Sequence, residues 1–177
     1  MDPRQIVLLA QYNSWMNAKL FEAAARLPAA ELAADRGAFF RSLLGTLNHL
    51  LVVDLLWLRR FREHPPGYPA LDPVLELPRP DRLDQILYRE LDGLAEARRR
   101  MDQAMEAWAA TLPAEVLDQT LRFTSYRGDA YAKRFGDIVL HLFNHQTHHR
   151  GQATTLLSQA GQDVGATDLS ALIPDEA

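Results

Sequence analysis

The stretch HLFNHQTHHRGQ, residues 141–152, holds four of the chain's six histidines: His141, His145, His148 and His149. Read as a helix, it becomes the last element of a helical bundle and sorts these rings onto defined faces. At about 100° per residue, with His145 set to zero, Ile138 and Leu156 fall at about +20° and Leu142 and Ala160 at about +60°. His149 falls at about +40°, inside that apolar cluster, while His141 and His148 fall at about −40° and −60°, on its flank. His145 and His149 are therefore expected to point into the bundle, one turn apart. A buried imidazole brings a polar edge that needs a partner, and two at i and i+4 can converge on one divalent ion.

A third ligand has to come from another buried helix. His49, in TLNHLLVVD (46–54), is the only histidine in such a setting, on a face that also carries Ser42, Gly45, Thr46, Val53 and Leu56. These are small to medium residues that leave room for an ion. His64, in REHPPG (62–67), is expected on the surface. The competing reading of His49, His145 and His149 is a hydrogen-bonded core network. Two other metal motifs are excluded by the text: Gln146 stands where an H-E-x-x-H peptidase needs its glutamate, and no Glu-x-x-His pair of a di-iron bundle occurs. A mononuclear tri-histidine site keeps open positions, as catalytic sites do. Zinc is the default ion, and nickel, iron(II) and copper suit the same donors.

The rest of the chain reads as further helices around this one. Asp2-Pro3 has the form of a helix start, and Ile6, Leu9, Asn13, Met16, Leu20, Ala23 and Leu27 make one stripe ending before Pro28. A second helix begins around 37–41 and runs through SLLGTLNHLLVVDLLWLRRFRE (42–63). It is apolar nearly all round and so the most buried of the set. HPPGYP (64–69) stops it, and residues 65–81 read as an exposed connection. A third helix is expected from about Arg82 to Leu112. In QTLRFTSYRGDAYAKRFG (119–136) the period changes to alternation around a turn at Arg127-Gly128-Asp129, which predicts a β-hairpin. The last helix starts near Gly136-Asp137 and ends at Gly161. Four long helices with one hairpin insertion give an all-α, antiparallel-type four-helix bundle.

Composition bounds the function. The 177 residues fit one domain, 1–177, with a net charge of −4 and no cysteines. The acidic balance offers no footprint for nucleic acid, and EARRRMD (96–102) reads as a solvated helix face. Without cysteine there are no disulfides and no thiolate ligand or nucleophile. With neither a leader nor a transmembrane stretch, the chain is expected to be soluble and cytoplasmic, with no membrane partner.

TLNHLLVVDLLWLRRF (46–61), followed some ninety residues later by HLFNHQTHHRGQ, resembles the DinB family of the DinB/YfiT-like superfamily of metal-dependent proteins. YNSWMN (12–17) and Asp168-Leu169 are similar to that family as well. The resemblance implies a four-helix bundle of up-down-down-up connectivity, often dimeric, with a divalent metal held by three histidines that map onto His49, His145 and His149. It also implies chemistry of the kind found in superfamily relatives, transfer or isomerisation that uses a low-molecular-weight thiol, here an exogenous one; hydrolysis of a small molecule is the other reaction that a metal-bound water suits. A homodimer is the expected assembly. The competing class is a stress protein in which the ion is structural. Arg150 is turned from the metal and is expected in an ion pair or capping role with Asp54. Gln152 either reaches the pocket or packs in the core. Asn13 and Asn48 either make structural hydrogen bonds or contact a ligand imidazole. His148 is the nearest candidate for a base.

Overall fold

The computed structural model describes residues 1–125 and 127–175. Its helices are α1 Pro3–Ala24, α2 Ala29–Ala33, α3 Leu43–Glu63, α4 Asp72–Leu75, α5 Leu91–Ala109 and α6 Phe135–Gln159, with strands β1 Thr120–Thr124 and β2 Ala130–Arg134 before α6. Local chemistry sets the helix starts. The Asp2 carboxylate accepts from the Arg4 N–H at 2.7 Å, while the Gln5 side chain accepts from the Asp2 N–H at 2.9 Å, a reciprocal cap ahead of Pro3. Ser42 caps α3 by accepting from the Gly45 N–H at 3.0 Å, so the helix begins just after the expected 37–41. Gly161 follows the end of α6 at φ 74°, a left-handed position that glycine adopts without steric cost.

Side-chain pairs fix the directions of the four long helices. α1 and α5 are antiparallel, since Asn13 meets Met105 and Asn17 meets Asp102. α3 and α5 run parallel, with Asp54 on Arg98 and Phe61 stacked on Trp108. α3 and α6 are antiparallel, since His49 meets His145 and Trp57 meets His141. In chain order this is up-down-down-up, the all-α four-helix bundle expected. α3 carries the densest apolar surface and is the most buried, from Leu43 through Leu55 without a break. The β1–β2 hairpin pairs Thr120 with Arg134 and Thr124 with Ala130, around a turn whose Gly128 sits at φ 93°. Tyr126, and Glu176 and Ala177 at the end of the expected domain, lie outside the described residues.

Between α3 and α5 the fold departs from the expectation. Residues 65–81 are no exposed connection: Tyr68, Leu71, Val74 and Leu77 are buried, in and around a 3-10 turn and α4, where they pack on α5. His64 is buried too, with its ring 4.6 Å from Phe135. The third long helix starts at Leu91 rather than Arg82. Residues 82–90 are drawn out of helix by Asn48, whose side-chain amide donates to the Tyr88 carbonyl and accepts from the Tyr88 N–H, each at 2.9 Å. Ile86, an apolar residue at helical spacing from Leu94, is 43% exposed in this segment.

The middle of the bundle holds a buried ionic cluster. Arg98 donates to Asp54 at 2.6 Å and pairs with Asp102 at 2.8 Å, all three being nearly solvent-free. EARRRMD is thus no uniform solvated face: Arg98 turns inward while Arg99 and Arg100 pair with exposed glutamates. Asn13 and Asn17 donate to Asp102, and Arg150 donates to the Asn13 carbonyl oxygen. The direct ion partner of Asp54 is therefore Arg98, while Arg150 joins the same cluster through Asn13. Among the described residues, no helix is long and apolar enough to cross a membrane.

Candidate metal centre

His49 lies on α3, and His145 and His149 lie one turn apart on α6. Side-chain nitrogens of the three all fall within 4.8 Å of one another. His49 Nε2 and His145 Nε2 are 3.1 Å apart. The buried side of α6 is centred on Val139, Gln146, Arg150 and Ala153, so His145 and His149 stand at its edge and are only half-buried. This differs from the centred position of the wheel, and it opens the group to solvent.

The outward nitrogens of two rings are already committed. His49 Nδ1 is 2.8 Å from the Leu83 carbonyl oxygen, and His149 Nδ1 is 2.7 Å from Gln152 Oε1. Both acceptors require Nδ1–H, which leaves the Nε2 lone pairs of these rings facing inward. His145 Nδ1 is buried without a partner among the described residues. Burial pushes the His49 ring down to about 4 and the His145 ring to about 3, and it lowers His149 as well. All three are neutral at pH 7, the form that binds a metal. Three neutral imidazoles, two of them held by oxygen acceptors, fit one divalent ion.

The wall around His49 is built by a loop that no sequence pattern announced. Phe40 stacks on the His49 ring with centroids 3.8 Å apart and planes at 20°. Arg41, at φ 67°, turns the chain there, and Gly45 lets that turn close on α3: a Cβ on Gly45 would stand 2.2 Å from the Phe40 carbonyl oxygen. Leu83 meets the His49 ring through its carbonyl oxygen, and a backbone atom leaves no residue-type signal. Among the described residues the Asn48 side chain hydrogen-bonds to backbone and not to an imidazole; it anchors Tyr88 and so holds the segment that carries Leu83. Asn13 belongs to the ionic cluster. Gln152 does reach the site, and its i+3 spacing from His149 was legible on the helix.

Two clefts meet at the three histidines. The larger, about 650 Å³, is lined by Phe39, Phe40, His149, Gln152, His148 and Asp84 among others. The smaller, about 260 Å³, is lined by His145, His141, Trp57, Phe123 and Arg60 among others. His49 and Leu83 line both. His148 is exposed, with its ring 4.7 Å from that of His149. Asp84 is a carboxylate that the sequence did not place beside the site. Arg82 donates to both of its oxygens, at 3.0 and 2.7 Å, and these bonds hold the carboxyl below the usual carboxylate range.

An up-down-down-up bundle with a solvent-reachable tri-histidine group defines a class of helical proteins that could hold a metal ion. The chain belongs to the DinB family, whose model matches residues 2–176. It is similar to "Protein DinB" of Bacillus subtilis (strain 168), at 24% identity over 160 residues, covering 90% of this chain and 88% of that protein. No solved structure matches it significantly.

Proposed function

We propose that this DinB-family chain is a metal-dependent enzyme in which His49, His145 and His149 hold one divalent ion, zinc by default, and act on a small molecule. The observation that carries the reading is the position of the three rings where two clefts join. An ion held only to staple helices is expected in a closed coordination sphere, whereas a catalytic ion keeps positions open to water or substrate. A divalent ion on three neutral imidazoles would supply Lewis acidity and lower the pKa of a bound water or thiol to about 7. The protein's own part is to orient the imidazoles through Leu83 and Gln152 and to shape the clefts. Because the chain has no cysteine, thiol transfer would use an exogenous low-molecular-weight thiol; hydrolysis is the other reaction that this site suits.

Metal analysis of the purified protein tests the ligand set. His49→Ala, His145→Ala and His149→Ala should each lose bound metal, while His148→Ala and His141→Ala should keep it. Wild-type metal content in all three of the first set would sink the assignment. The reaction is tested by screening low-molecular-weight thiols with electrophilic acceptors on the zinc-loaded protein. Metal removal that sharply lowers the melting temperature, from a site with no exchangeable water, would favour a structural ion instead.

A further inference from the structure

The smaller cleft has a chemical polarity of its own. Along α3, His49, Val53, Trp57 and Arg60 recur at intervals of three and four and share one face, so the cleft's α3 wall runs from the histidines to Arg60. Eleven residues separate those ends, about 16 Å along a helix axis. Leu83 and Phe123 close the sides, and Trp57 and Phe123 meet edge-to-face at 5.1 Å. The body of this cleft is apolar.

Arg60 is its charged residue, beside Ser125 and the imidazoles. Its guanidinium carbon lies 4.7 Å from the Trp57 ring centroid and 5.0 Å from that of Phe123, and one terminal nitrogen donates to the Thr124 carbonyl oxygen at 2.9 Å. Among the described residues no carboxylate pairs with it. Arg98, Arg134, Arg62 and Arg82 all have such partners. Arg60 also lines a second groove, together with Arg59, Arg79 and Arg122, in which Glu63 is the acidic residue, so the surroundings of Arg60 are net positive. A half-buried guanidinium held against a pair of aromatic rings, with donors to spare and no counter-ion, is prepared for an anion that arrives with the ligand.

We infer that the smaller cleft binds a monocarboxylate with an apolar or aromatic body, its carboxylate on Arg60 and its opposite end at the histidines. The cleft, about 260 Å³, is just below the usual range for ligand pockets, from about 300 Å³ upward, and suits a molecule below drug size. A single guanidinium matches one planar monoanion, and the rings of Trp57 and Phe123 match an apolar body. Arg60 is then a specificity-determining residue, remote from the reacting end. The orientation of the ligand rests on the proposed metal site, but the anchoring itself does not.

Isothermal titration with 4-phenylbutyrate and its neutral amide tests the inference, using zinc-loaded wild type, Arg60→Gln, Arg60→Lys and His149→Ala. His149 lines only the other cleft, so its variant removes a proposed metal ligand while leaving this one intact. Wild type should bind the acid at least about tenfold tighter than the amide, a gap of about 1.4 kcal/mol. Arg60→Gln should bind both alike, Arg60→Lys should keep part of the preference, and His149→Ala should keep it without metal. Circular dichroism confirms folding of each variant. The inference is overturned if the acid preference survives in Arg60→Gln, if it disappears with the metal in His149→Ala, or if neither probe binds wild type. A chain that takes up no zinc but shows the Arg60-dependent preference would refute the metal reading alone.

Discussion

A neutral imidazole can present either nitrogen to a metal, and the choice is made by whatever its other nitrogen touches. In this protein Gln152 makes that choice for His149, since an amide oxygen 2.7 Å from Nδ1 demands a proton there. Replacing Gln152 with leucine keeps much of the side chain's bulk but frees the ring to rotate and change tautomer. Metal affinity is expected to fall by about 10–100-fold, the usual effect of losing a partner that orients a ligand. Competition with a chromophoric chelator measures it. The three histidines should still saturate at high metal, because Gln152 is not itself a proposed ligand. Unchanged affinity would show that packing alone orients His149.

At the scale of elements, the site depends on a segment that has no regular structure. Residues 82–90 carry Leu83 to His49 because the Asn48 amide makes a two-bond bridge to Tyr88. Asn48→Ala should cost about 1–3 kcal/mol, the penalty for leaving buried backbone groups unpaired. It should also weaken metal binding while leaving the His149 side of the site in place. Denaturant unfolding and metal titration of the same variant read both effects. The sequence disclosed α1, α3, α6 and the hairpin because each is written locally: a capped start, an unbroken apolar run, an i/i+4 histidine pair, a change of period. The start of α5 was hidden because Ile86 and Leu87 imitate helical spacing, and the Asn48 bridge that overrides it joins residues 40 apart. His64 was misplaced for a similar reason. Its prolines announce a helix end, but not that the chain then folds back and buries the ring against Phe135. His49, His145 and His149 were legible as a group because side-chain type and helical phase sufficed; Phe40 and the Leu83 carbonyl were not, since both are placed by loops.

At the scale of the whole molecule, four helices are joined through one buried cluster. α1 gives Asn13 and Asn17, α3 gives Asp54, α5 gives Arg98 and Asp102, and α6 gives Arg150. The two arginines balance the two aspartates in charge. Burial still pushes the Asp102 carboxyl up to about 6, against the pull of Arg98, and raises Asp54 as well. Arg98→Met would strand both carboxylates in the core. Breaking a buried pair from one side costs about 3–5 kcal/mol, which for a chain of this size lowers the melting temperature by about 6–20 °C. The pH dependence has a definite sign. A carboxyl whose folded pKa lies above its unfolded value of 3.8 is protonated more readily in the folded state, so the stability it contributes is lost as pH rises from about 4 through its folded pKa. Removing Arg98 takes away the cation that pulls those pKa values down, so the variant should lose more stability than wild type on going from acid to neutral pH. The histidine contributions are common to both proteins and cancel in the difference. The melting-temperature gap between wild type and Arg98→Met should therefore be wider at pH 8 than at pH 5, and Asp102→Asn in the variant background should narrow it. A gap that does not change with pH would mean that the stranded carboxylates reach solvent, and that the helices are not held together through this cluster.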